Sequence, residues 1–346
     1  MSASPRTVAL VLHWSRPDLT AASVEALARS RPPPSILVVD NGSKSPPPAD
    51  PGRAAEPCSL LSLPRNVGFA GGMNAGVAWA LSRGFEFLWL LNDDVTVAPD
   101  AHAKLLEAAR REPALWTPCL AGDDGRQQHV GGSVGLDGSG VRLADAAAFD
   151  SLNEGIRWVT GTALFVPAAL ARRLGPLDDR FFAYWEDVDW SVRASRAGIP
   201  VAVHRDAAVV HRPTEAAPAR SAGRHFLTAR NEFLFARKHV APSAWDEALP
   251  RIAARQLRFA GWLERRGRPR LARAVLTGGL SGMRGRTGPP RHTWLPASLA
   301  RVLLSRSLEF ASRLERLAVE PASLPARARS WSRIAFRGAS PARPGH

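Results

Sequence analysis

Two short clusters of acidic residues have the types and spacing needed for chemistry. The first, Asn92-Asp93-Asp94, follows a strongly apolar run at 85–91. Ligands of open α/β sheets bind beyond the carboxyl ends of the strands, so these side chains should point into a crevice. Adjacent carboxylates repel each other unless a cation neutralises them, and oxygen ligands of this kind suit Mg²⁺ or Mn²⁺. The alternative is a simple turn, because Asn and Asp are common turn residues.

The second cluster places three carboxylates within four residues, between the aromatic residues of segment 184–190. Carboxylates in an apolar setting are costly unless they are paired or functional, and one of them could serve as a general base. The structural alternative is the first turn of a helix, where Glu186 and Asp187 favour the helix dipole and Asp189 pairs with Arg193. Both interpretations can hold together.

A glycine-rich segment and one histidine are weaker candidates. Segment 65–74 has neither the spacing of a dinucleotide-binding loop nor that of a phosphate-binding P-loop. Its glycines would let the backbone approach a ligand, with the helix start behind them attracting phosphate and with Arg65 and Asn74 as polar contacts. His211 closes an apolar strand, and a lone histidine in that place is more often structural than a metal ligand.

The elements that position these residues alternate between short apolar runs and amphipathic stretches, which predicts βαβ units around a parallel sheet. Segment 113–157 has a looser pattern and is predicted to form hairpins and loops, and 159–166 is predicted to be one strand. Beyond residue 213 the pattern is helical, with breaks at Pro242, 267–269 and 285–290. The other predicted strands are 8–13, 36–39, 58–63, 85–91 and 201–211, and the main predicted helices are 18–30, 71–83 and 99–111.

Basic residues are concentrated in the C-terminal part of the chain. Residues 216–346 carry 25 Lys and Arg against 7 Asp and Glu, whereas residues 1–215 carry 21 against 24. A basic surface of this kind binds polyanions such as nucleic acid, anionic lipid headgroups or phosphorylated carriers. The alternative is compositional drift on solvated faces, which would imply no partner.

Composition excludes several classes of protein. The two cysteines, Cys58 and Cys119, form no metal-binding or redox motif, which argues against a disulfide scaffold or a zinc site and fits a reducing cytoplasm. No apolar run approaches the roughly 18 residues that a membrane span needs. The first residues form a short predicted strand and do not have the pattern of a signal peptide.

Taken in order, these segments resemble the family 2 inverting glycosyltransferases with a GT-A fold, especially their rhamnosyltransferase-like branch. The resemblance covers residues 7–215. It rests on the motifs Val38–Ser43, Arg65–Asn74, Asn92–Asp94, Gly161–Ala163, Trp185–Asp187 and the later His211. The sequence departs from the family at Asn92, which stands at the first position of the Asp-x-Asp metal motif. Metal binding would therefore depend mainly on Asp94.

The resemblance implies a role for each matched residue. Asp187 would be the catalytic base and Glu186 would orient hydroxyls, while Asp94 and His211 would bind a divalent metal, Mg²⁺ or Mn²⁺. The residues Gly161, Thr162 and Trp185 would lie on the acceptor side. The expected nucleotide-sugar contacts are Asp40, Asn41, Ser43, Arg65, Asn66, Gly71, Asn74, Asn92 and Asp93.

The resemblance also implies a fold and a reaction. We expect a GT-A type α/β domain at 1–215, with a Rossmann-like, mostly parallel sheet flanked by helices. Its nucleotide-sugar half would be 1–100 and its acceptor half 101–215, followed by a basic helical region at 216–330 and a disordered tail at 331–346. The enzyme would move a sugar, rhamnose, from a dTDP- or UDP-sugar to a hydroxyl of a cell-surface glycan or a polyprenyl-diphosphate-linked acceptor. It would do so in the cytoplasm, at an anionic membrane surface contacted by residues 216–346.

Two other function classes remain open from the residues alone. One is a basic nucleic-acid or membrane-binding module without catalysis, although no nucleic-acid motif accompanies the charge and a nucleic-acid partner is not expected. The other is a nucleotidyltransferase, which is disfavoured because the chain has no glycine- and lysine-rich triphosphate loop.

Overall fold

The computed structural model describes residues 6–47, 58–212 and 218–290, together with 298, 299 and 302. Within this range the chain forms two compact units. The first takes in residues up to 136, 140–220 and 288–290, and the second takes in 137–139 and 221–287. The tail predicted at 331–346 lies outside the described residues.

The first unit is built on an eight-stranded sheet with the order β3-β2-β1-β4-β10-β6-β11-β5. Strands β1, β2 and β4 are buried along nearly their whole length, which explains their continuous apolar sequences. The strands of this sheet are β1 Thr7–His13, β2 Ser35–Asp40, β3 Cys58–Ser62, β4 Phe87–Asn92, β5 Val95–Val97, β6 Leu115–Ala121, β10 Ala163–Pro167 and β11 Val201–His211. The helices of this unit are α1 Pro17–Ala28, α2 Gly68–Ser82, α3 Ala101–Arg111, α4 Ala168–Leu174 and α5 Glu186–Arg196.

The predicted α/β fold is confirmed, with antiparallel strands added to a parallel half. Strands β3, β2, β1 and β4 are parallel, and β10 lies antiparallel between β4 and β6. Strand β11 is parallel to β6, and the short β5 pairs antiparallel with β11 at one edge. The pairing of β5 with β11 brings the residues after β4 to the end of β11.

One strand prediction was incomplete and one was wrong; the predicted hairpin in 113–157 is confirmed by the antiparallel pairing of 131–134 with 141–144. Segment 113–157 contains β6, a strand of the main sheet, although its sequence has no clear strand period. The predicted single strand at 159–166 is two strands, β9 (Ile156–Val159) and β10, separated by the turn 160–162. Strand β9 belongs to a separate antiparallel sheet with β7 (Gly131–Val134) and β8 (Val141–Ala144). The backbone N–H of Thr160 donates a hydrogen bond to the Val130 carbonyl oxygen (2.9 Å), which fixes the chain where it leaves that sheet.

The second unit contains three helices, α6 Pro218–His239, α7 Trp245–Arg265 and α8 Pro269–Met283. The predicted breaks at Pro242 and 267–269 are confirmed. No helix among the described residues is long and apolar enough to cross a membrane. Helix α8 approaches the backbone of α6 closely: a Cβ atom at Gly278 would lie 2.2 Å from the Phe226 carbonyl oxygen, and one at Gly282 would lie 2.3 Å from that of Arg230. Only glycine allows this approach.

We expect Gly282→Ala to destabilise the second unit by about 1–3 kcal/mol, the usual effect of overpacking. The matched control is Gly261→Ala in α7, where the new Cβ would meet only the end of the Arg265 side chain, at 3.4 Å. Because alanine favours helix by up to about 1 kcal/mol, the control should be neutral or stabilising. Urea unfolding followed by circular dichroism measures both changes. Equal midpoints for the two variants would contradict this account of helix packing.

Candidate active site

Two adjacent carboxylates are buried beyond the end of β4. Asp93 is 2% exposed and Asp94 is 8% exposed. Arg16 follows β1, which pairs with β4, so its side chain reaches both acids. Its Nε donates to Asp93 Oδ2 at 3.2 Å and its Nη1 donates to Asp94 Oδ2 at 2.8 Å, while Nη2 also contacts Asp93. The guanidinium thereby offsets the charge of the acidic pair.

The two carboxyls respond differently to this environment. Burial raises the pKa of Asp93 to about 6, although Arg16 acts in the opposite direction. Burial alone would also raise the pKa of Asp94, but His211 and Arg16 outweigh it and lower that pKa. Asp94 therefore carries the more persistent negative charge of the pair.

His211 reaches Asp94 through the pairing of β11 with β5. It lies opposite Val95 in that ladder, and its Nε2 atom is 3.4 Å from Asp94 Oδ1. The side-chain amide of Gln128 contacts His211 at two other atoms. Its Nε2 donates to the His211 carbonyl oxygen (3.1 Å), and its Oε1 lies 2.7 Å from His211 Nδ1.

This arrangement determines the histidine tautomer. The reverse orientation of the Gln128 amide would place its oxygen against the carbonyl oxygen of His211, so Oε1 must face the ring. Because Oε1 can only accept, Nδ1 of His211 carries the proton and donates it. The ring that lowers the pKa of Asp94 also carries a proton on Nε2 and donates towards Asp94 Oδ1. In the neutral ring, Nε2 instead presents a lone pair towards Asp94.

The second acidic cluster begins α5, as the structural interpretation predicts, and the role of a general base stays a prediction. Asp187 is half-buried, its Oδ2 accepts from the backbone N–H of Gly161 (3.0 Å), and its Oδ1 accepts from that of Val188 (2.8 Å). Asp189 pairs with Arg193 at 3.0 Å, as the helix interpretation predicts. These bonds hold the carboxylate of Asp187 at the turn 160–162.

The neighbouring Glu186 is buried, at 5% exposure, and its Oε2 atom accepts no hydrogen bond from the described residues. Burial raises its pKa well above the ordinary value, and the charge of Asp187 adds to the effect. Burial also raises the pKa of Asp187, while the N–H donors of Gly161 and Val188 oppose that rise. The two environments favour a proton on Glu186 and a charge on Asp187.

The turn before α5 is strained and contacts the glycine-rich segment. Phe182, Tyr184 and Trp185 have φ angles of 65°, 68° and 76°, in the left-handed region. The Phe182 carbonyl accepts from the N–H of Ala70 at 3.2 Å. A Cβ atom at Gly68 (φ +84°) would lie 2.3 Å from that oxygen. Glycine at 68 thus permits the contact, and non-glycine residues in this backbone region are typical of functional sites.

Three asparagines that the sequence assigns to ligand contact have structural partners. Asn41 accepts from the N–H of Val67 (3.0 Å) and donates to the Gly68 carbonyl (3.0 Å). Asn66 accepts from the Gly68 N–H at 2.8 Å. Asn74 exchanges two hydrogen bonds with the backbone of Leu177. These side chains fix the loop and the start of α2, where Gly71 lies in the first turn.

The residues at the end of β2, which are predicted to contact the nucleotide, also accept hydrogen bonds from the backbone. Asp40 Oδ1 accepts from the Ser43 N–H at 3.0 Å, and Ser43 Oγ accepts from the Ser15 N–H at 2.9 Å. Arg65 is exposed beside this loop, and a Cβ at Gly42 would lie 2.3 Å from its backbone carbonyl carbon. The nucleotide-contact roles of these residues remain predictions.

Comparison with known proteins identifies the family. The sequence model of the family described as Glycosyl transferase family 2 matches residues 10–130. The galactofuranosyltransferase GlfT1 of Mycobacterium tuberculosis is 33% identical over 214 residues, which cover 59% of this chain and 69% of that protein. This chain belongs to glycosyl transferase family 2. The galactofuranosyltransferase GlfT1 of Mycolicibacterium smegmatis is 28% identical to this chain over 218 residues, which cover 59% of this chain and 70% of that protein.

A solved structure supports the family 2 fold. A mannosyltransferase from Pyrobaculum calidifontis in complex with GDP-Man and Mn²⁺ matches with a TM-score of 0.50 at 16% identity, covering 96% of this chain and 85% of that one. This similarity shows the shared GT-A fold. As a family 2 glycosyltransferase the chain is an enzyme that uses nucleotide sugars. The alternatives of a binding module without catalysis and of a nucleotidyltransferase are therefore excluded.

The residues at the end of β4 fit a divalent metal. Asp94 Oδ1 is buried and accepts no hydrogen bond from the described residues, and it faces the lone pair of His211 Nε2. No group of three or more His, Cys, Asp or Glu that could hold an ion occurs in the part of the chain that the structure describes. A two-residue site suits Mg²⁺ or Mn²⁺, because such ions commonly complete their shell with water and substrate phosphate oxygens.

Arg16 and Gln128 were missed by the sequence analysis. Arg16 had only a weak signal: it lies just after a predicted strand, and the residues after neighbouring parallel strands meet at one edge of the sheet, but the sequence does not say which strands are neighbours. Gln128 had no local sequence signal, since it lies in an irregular segment 83 residues from its partner His211.

We expect Gln128→Leu to shift the ring proton of His211 from Nδ1 to Nε2, where Asp94 can accept it. Long-range ¹H–¹⁵N spectra of the metal-free protein would measure the shift, with His211 assigned by its own substitution. Loss of such a supporting contact also typically weakens metal binding by about 10–100-fold, which Mn²⁺ titration would measure. The control is Gln127→Leu, next in the chain and exposed. Retention of the Nδ1 proton in Gln128→Leu would contradict the prediction.

Proposed function

We propose that this family 2 glycosyltransferase is an inverting enzyme that transfers a sugar from a pyrimidine nucleotide sugar to an acceptor hydroxyl. Asp187 acts as the base, and Asp94 and His211 hold a divalent metal at the donor diphosphate. The acceptor is a cell-surface glycan or its lipid-linked precursor, used on the cytoplasmic side of the membrane.

One observation carries the proposal: a three-residue turn contacts both acidic clusters. The Gly161 N–H donates to Asp187 Oδ2 at 3.0 Å, and the adjacent Thr162 carbonyl accepts from the Asn92 N–H at 3.0 Å. A transferase that works by single displacement needs a base on the acceptor side and charge stabilisation on the donor side of one sugar. The turn holds candidates for both roles in a fixed relation.

On the acceptor side, Asp187 takes the proton of the attacking hydroxyl. Its two backbone N–H donors orient the carboxylate, and the raised pKa makes it a stronger base than an exposed aspartate. Glu186, with the proton that its burial favours, donates a hydrogen bond to a sugar hydroxyl. Inversion follows because the acceptor oxygen attacks the face opposite the departing diphosphate.

On the donor side, Asp94 Oδ1 and His211 Nε2 would hold the metal, and Arg16 keeps Asp94 Oδ2 and Asp93 in place. The bound metal would stabilise negative charge on the leaving diphosphate. Asp40 reads the edge of the base, and the loop at 65–74 lies beside the phosphates. Arg65 is exposed there to contact them.

The donor sugar is proposed from the relatives. Both are galactofuranosyltransferases, and this favours galactofuranose over the rhamnose expected from the sequence motifs. With this donor, the enzyme would take part in the synthesis of a cell-wall polysaccharide. Comparison of UDP-galactofuranose with dTDP-rhamnose as donors distinguishes the two, and the anomeric configuration of the product tests inversion.

Nucleotide binding should depend on the metal and on Asp94. Calorimetry of UDP, dTDP and GDP with and without Mn²⁺ should show metal-dependent binding of one pyrimidine diphosphate, and Asp94→Ala should abolish the metal-dependent part. The control is Asp179→Ala, which removes an exposed carboxylate. If all three nucleotides bind equally and neither Mn²⁺ nor Asp94→Ala matters, the site is misassigned.

Catalysis should depend on Asp187 in a way that binding does not. We expect Asp187→Asn to lower kcat by about 10²–10⁴-fold, the usual contribution of a general base, with nucleotide affinity unchanged. The base must be deprotonated, so in the wild type kcat/KM should fall as pH decreases through a pKa above the ordinary 3.8 of aspartate. Asp179→Asn is the control. Activity of Asp187→Asn within tenfold of wild type would refute the assignment.

A further inference from the structure

Helix α7 of the second unit carries two large exposed aromatic side chains. Phe259 and Trp262 are each 41% exposed, and their rings stack with centroids 5.8 Å apart and an interplanar angle of 14°. The opposite face of α7 is buried through residues such as Ile252, Gln256 and Leu263. The aromatic pair is therefore on the outward face of an amphipathic helix, where exposed large apolar groups need an explanation.

Arginines share that face. At about 100° per residue, Arg258, Arg265 and Arg266 fall with the two aromatic residues inside an arc of roughly 120°. All three arginines are exposed. The following turn and the start of α8 add three more exposed arginines, so that segment 258–273 has six arginines and one acidic residue, Glu264. We call Arg258, Phe259, Trp262, Arg265 and Arg266 the α7 surface.

The chemistry of the α7 surface matches an anionic lipid bilayer. Trp and Phe enter the interfacial zone of a membrane, while arginine side chains extend to lipid phosphates. Each arginine near an anionic leaflet contributes about 1 kcal/mol of attraction.

Single-stranded nucleic acid is disfavoured by the ring contacts. Bases bind by stacking on ring faces. Here Phe259 already stacks with His225 (5.9 Å, 10°), and Arg266 lies over the Trp262 ring with its guanidinium carbon 5.0 Å from the centroid. Together with their mutual stacking, each ring thus has two contacts within the protein, with which base stacking would have to compete.

We propose that the α7 surface binds anionic phospholipid membranes, with Phe259 and Trp262 inserting among the headgroups and the three arginines contacting lipid phosphates. The net charge of segment 216–346 suggests only a general attraction to anionic membranes. The proposal assigns that attraction to five named residues. It goes beyond the proposed transfer reaction and does not depend on it.

The first test is co-sedimentation of the full chain with vesicles of phosphatidylcholine alone or mixed with phosphatidylglycerol. We expect binding only to the mixed vesicles, weakening as salt is raised. The triple variant Arg258→Gln/Arg265→Gln/Arg266→Gln should lower partitioning by roughly 100-fold, from three contributions of about 1 kcal/mol. The control Arg29→Gln/Arg110→Gln/Arg111→Gln makes the same charge change at exposed arginines of the first unit and should bind like wild type.

The second test separates insertion from general electrostatic attraction. Lipids with brominated acyl chains quench tryptophan that enters the bilayer, so mixed vesicles should quench wild type more than Trp262→Phe. Phe259→Ser/Trp262→Ser should bind about tenfold more weakly, because partial burial of each ring is lost. Circular dichroism on each variant reports whether the fold is intact, and a failure of the proposed reaction would leave these vesicle results unchanged.

Three outcomes would overturn the proposal. The first is no preference for anionic vesicles. The second is equal binding by the α7 arginine variant and its control. The third is binding of a labelled single-stranded RNA that requires Phe259 and Trp262 while the same substitutions leave vesicle binding unaltered.

Discussion

The burial of two adjacent carboxylates beyond β4 is the constraint around which the first unit is arranged. Asp93 and Asp94 lie almost entirely out of solvent, where an unpaired charge would cost several kcal/mol. The compensating groups come from other strands: Arg16 from the end of β1 and His211 from the end of β11. The sheet order is therefore what makes the acidic pair tolerable, since it brings those two strand ends to the same edge. The charged groups that offset one another at this edge of the sheet are then also in place to bind a charged ligand.

The polar residues of the site divide into two groups. Asn41, Asn66 and Asn74 satisfy backbone groups and fix the shape of the loop and of α2. In contrast, Asp94 Oδ1 and Glu186 Oε2 are buried acceptors that take no hydrogen bond from the described residues. Buried acceptors of this kind are rare in native proteins and call for an explanation such as an ion or a ligand. The rigid first group gives the second group fixed positions, which is what preorganised charge stabilisation requires.

The two units differ in charge as well as in architecture. The basic excess lies in residues 216–346, whereas residues 1–215 are slightly acidic. In the second unit Gly278 and Gly282 bring two helices close together, and most arginine side chains are exposed, with the buried Arg230 as an exception. An enzyme whose acceptor is carried by lipid gains effective concentration from any surface that holds it at the membrane. The proposed membrane attraction and the catalytic chemistry would then belong to different units of the chain.

The sequence by itself determined the parallel half of the sheet and the two acidic clusters. Continuous apolar runs produce buried strands at β1, β2 and β4, and local turn and helix signals bound them, so these features are readable from a few neighbouring residues. The tertiary structure alone decided the position of β6, the division of 159–166 by the turn 160–162, and the contacts of Arg16 with the Asp93-Asp94 pair and of Gln128 with His211. Arg16 and Asp94 are 78 residues apart and Gln128 and His211 are 83 apart. No local pattern encodes such contacts, because they arise only when the sheet order places distant strand ends side by side.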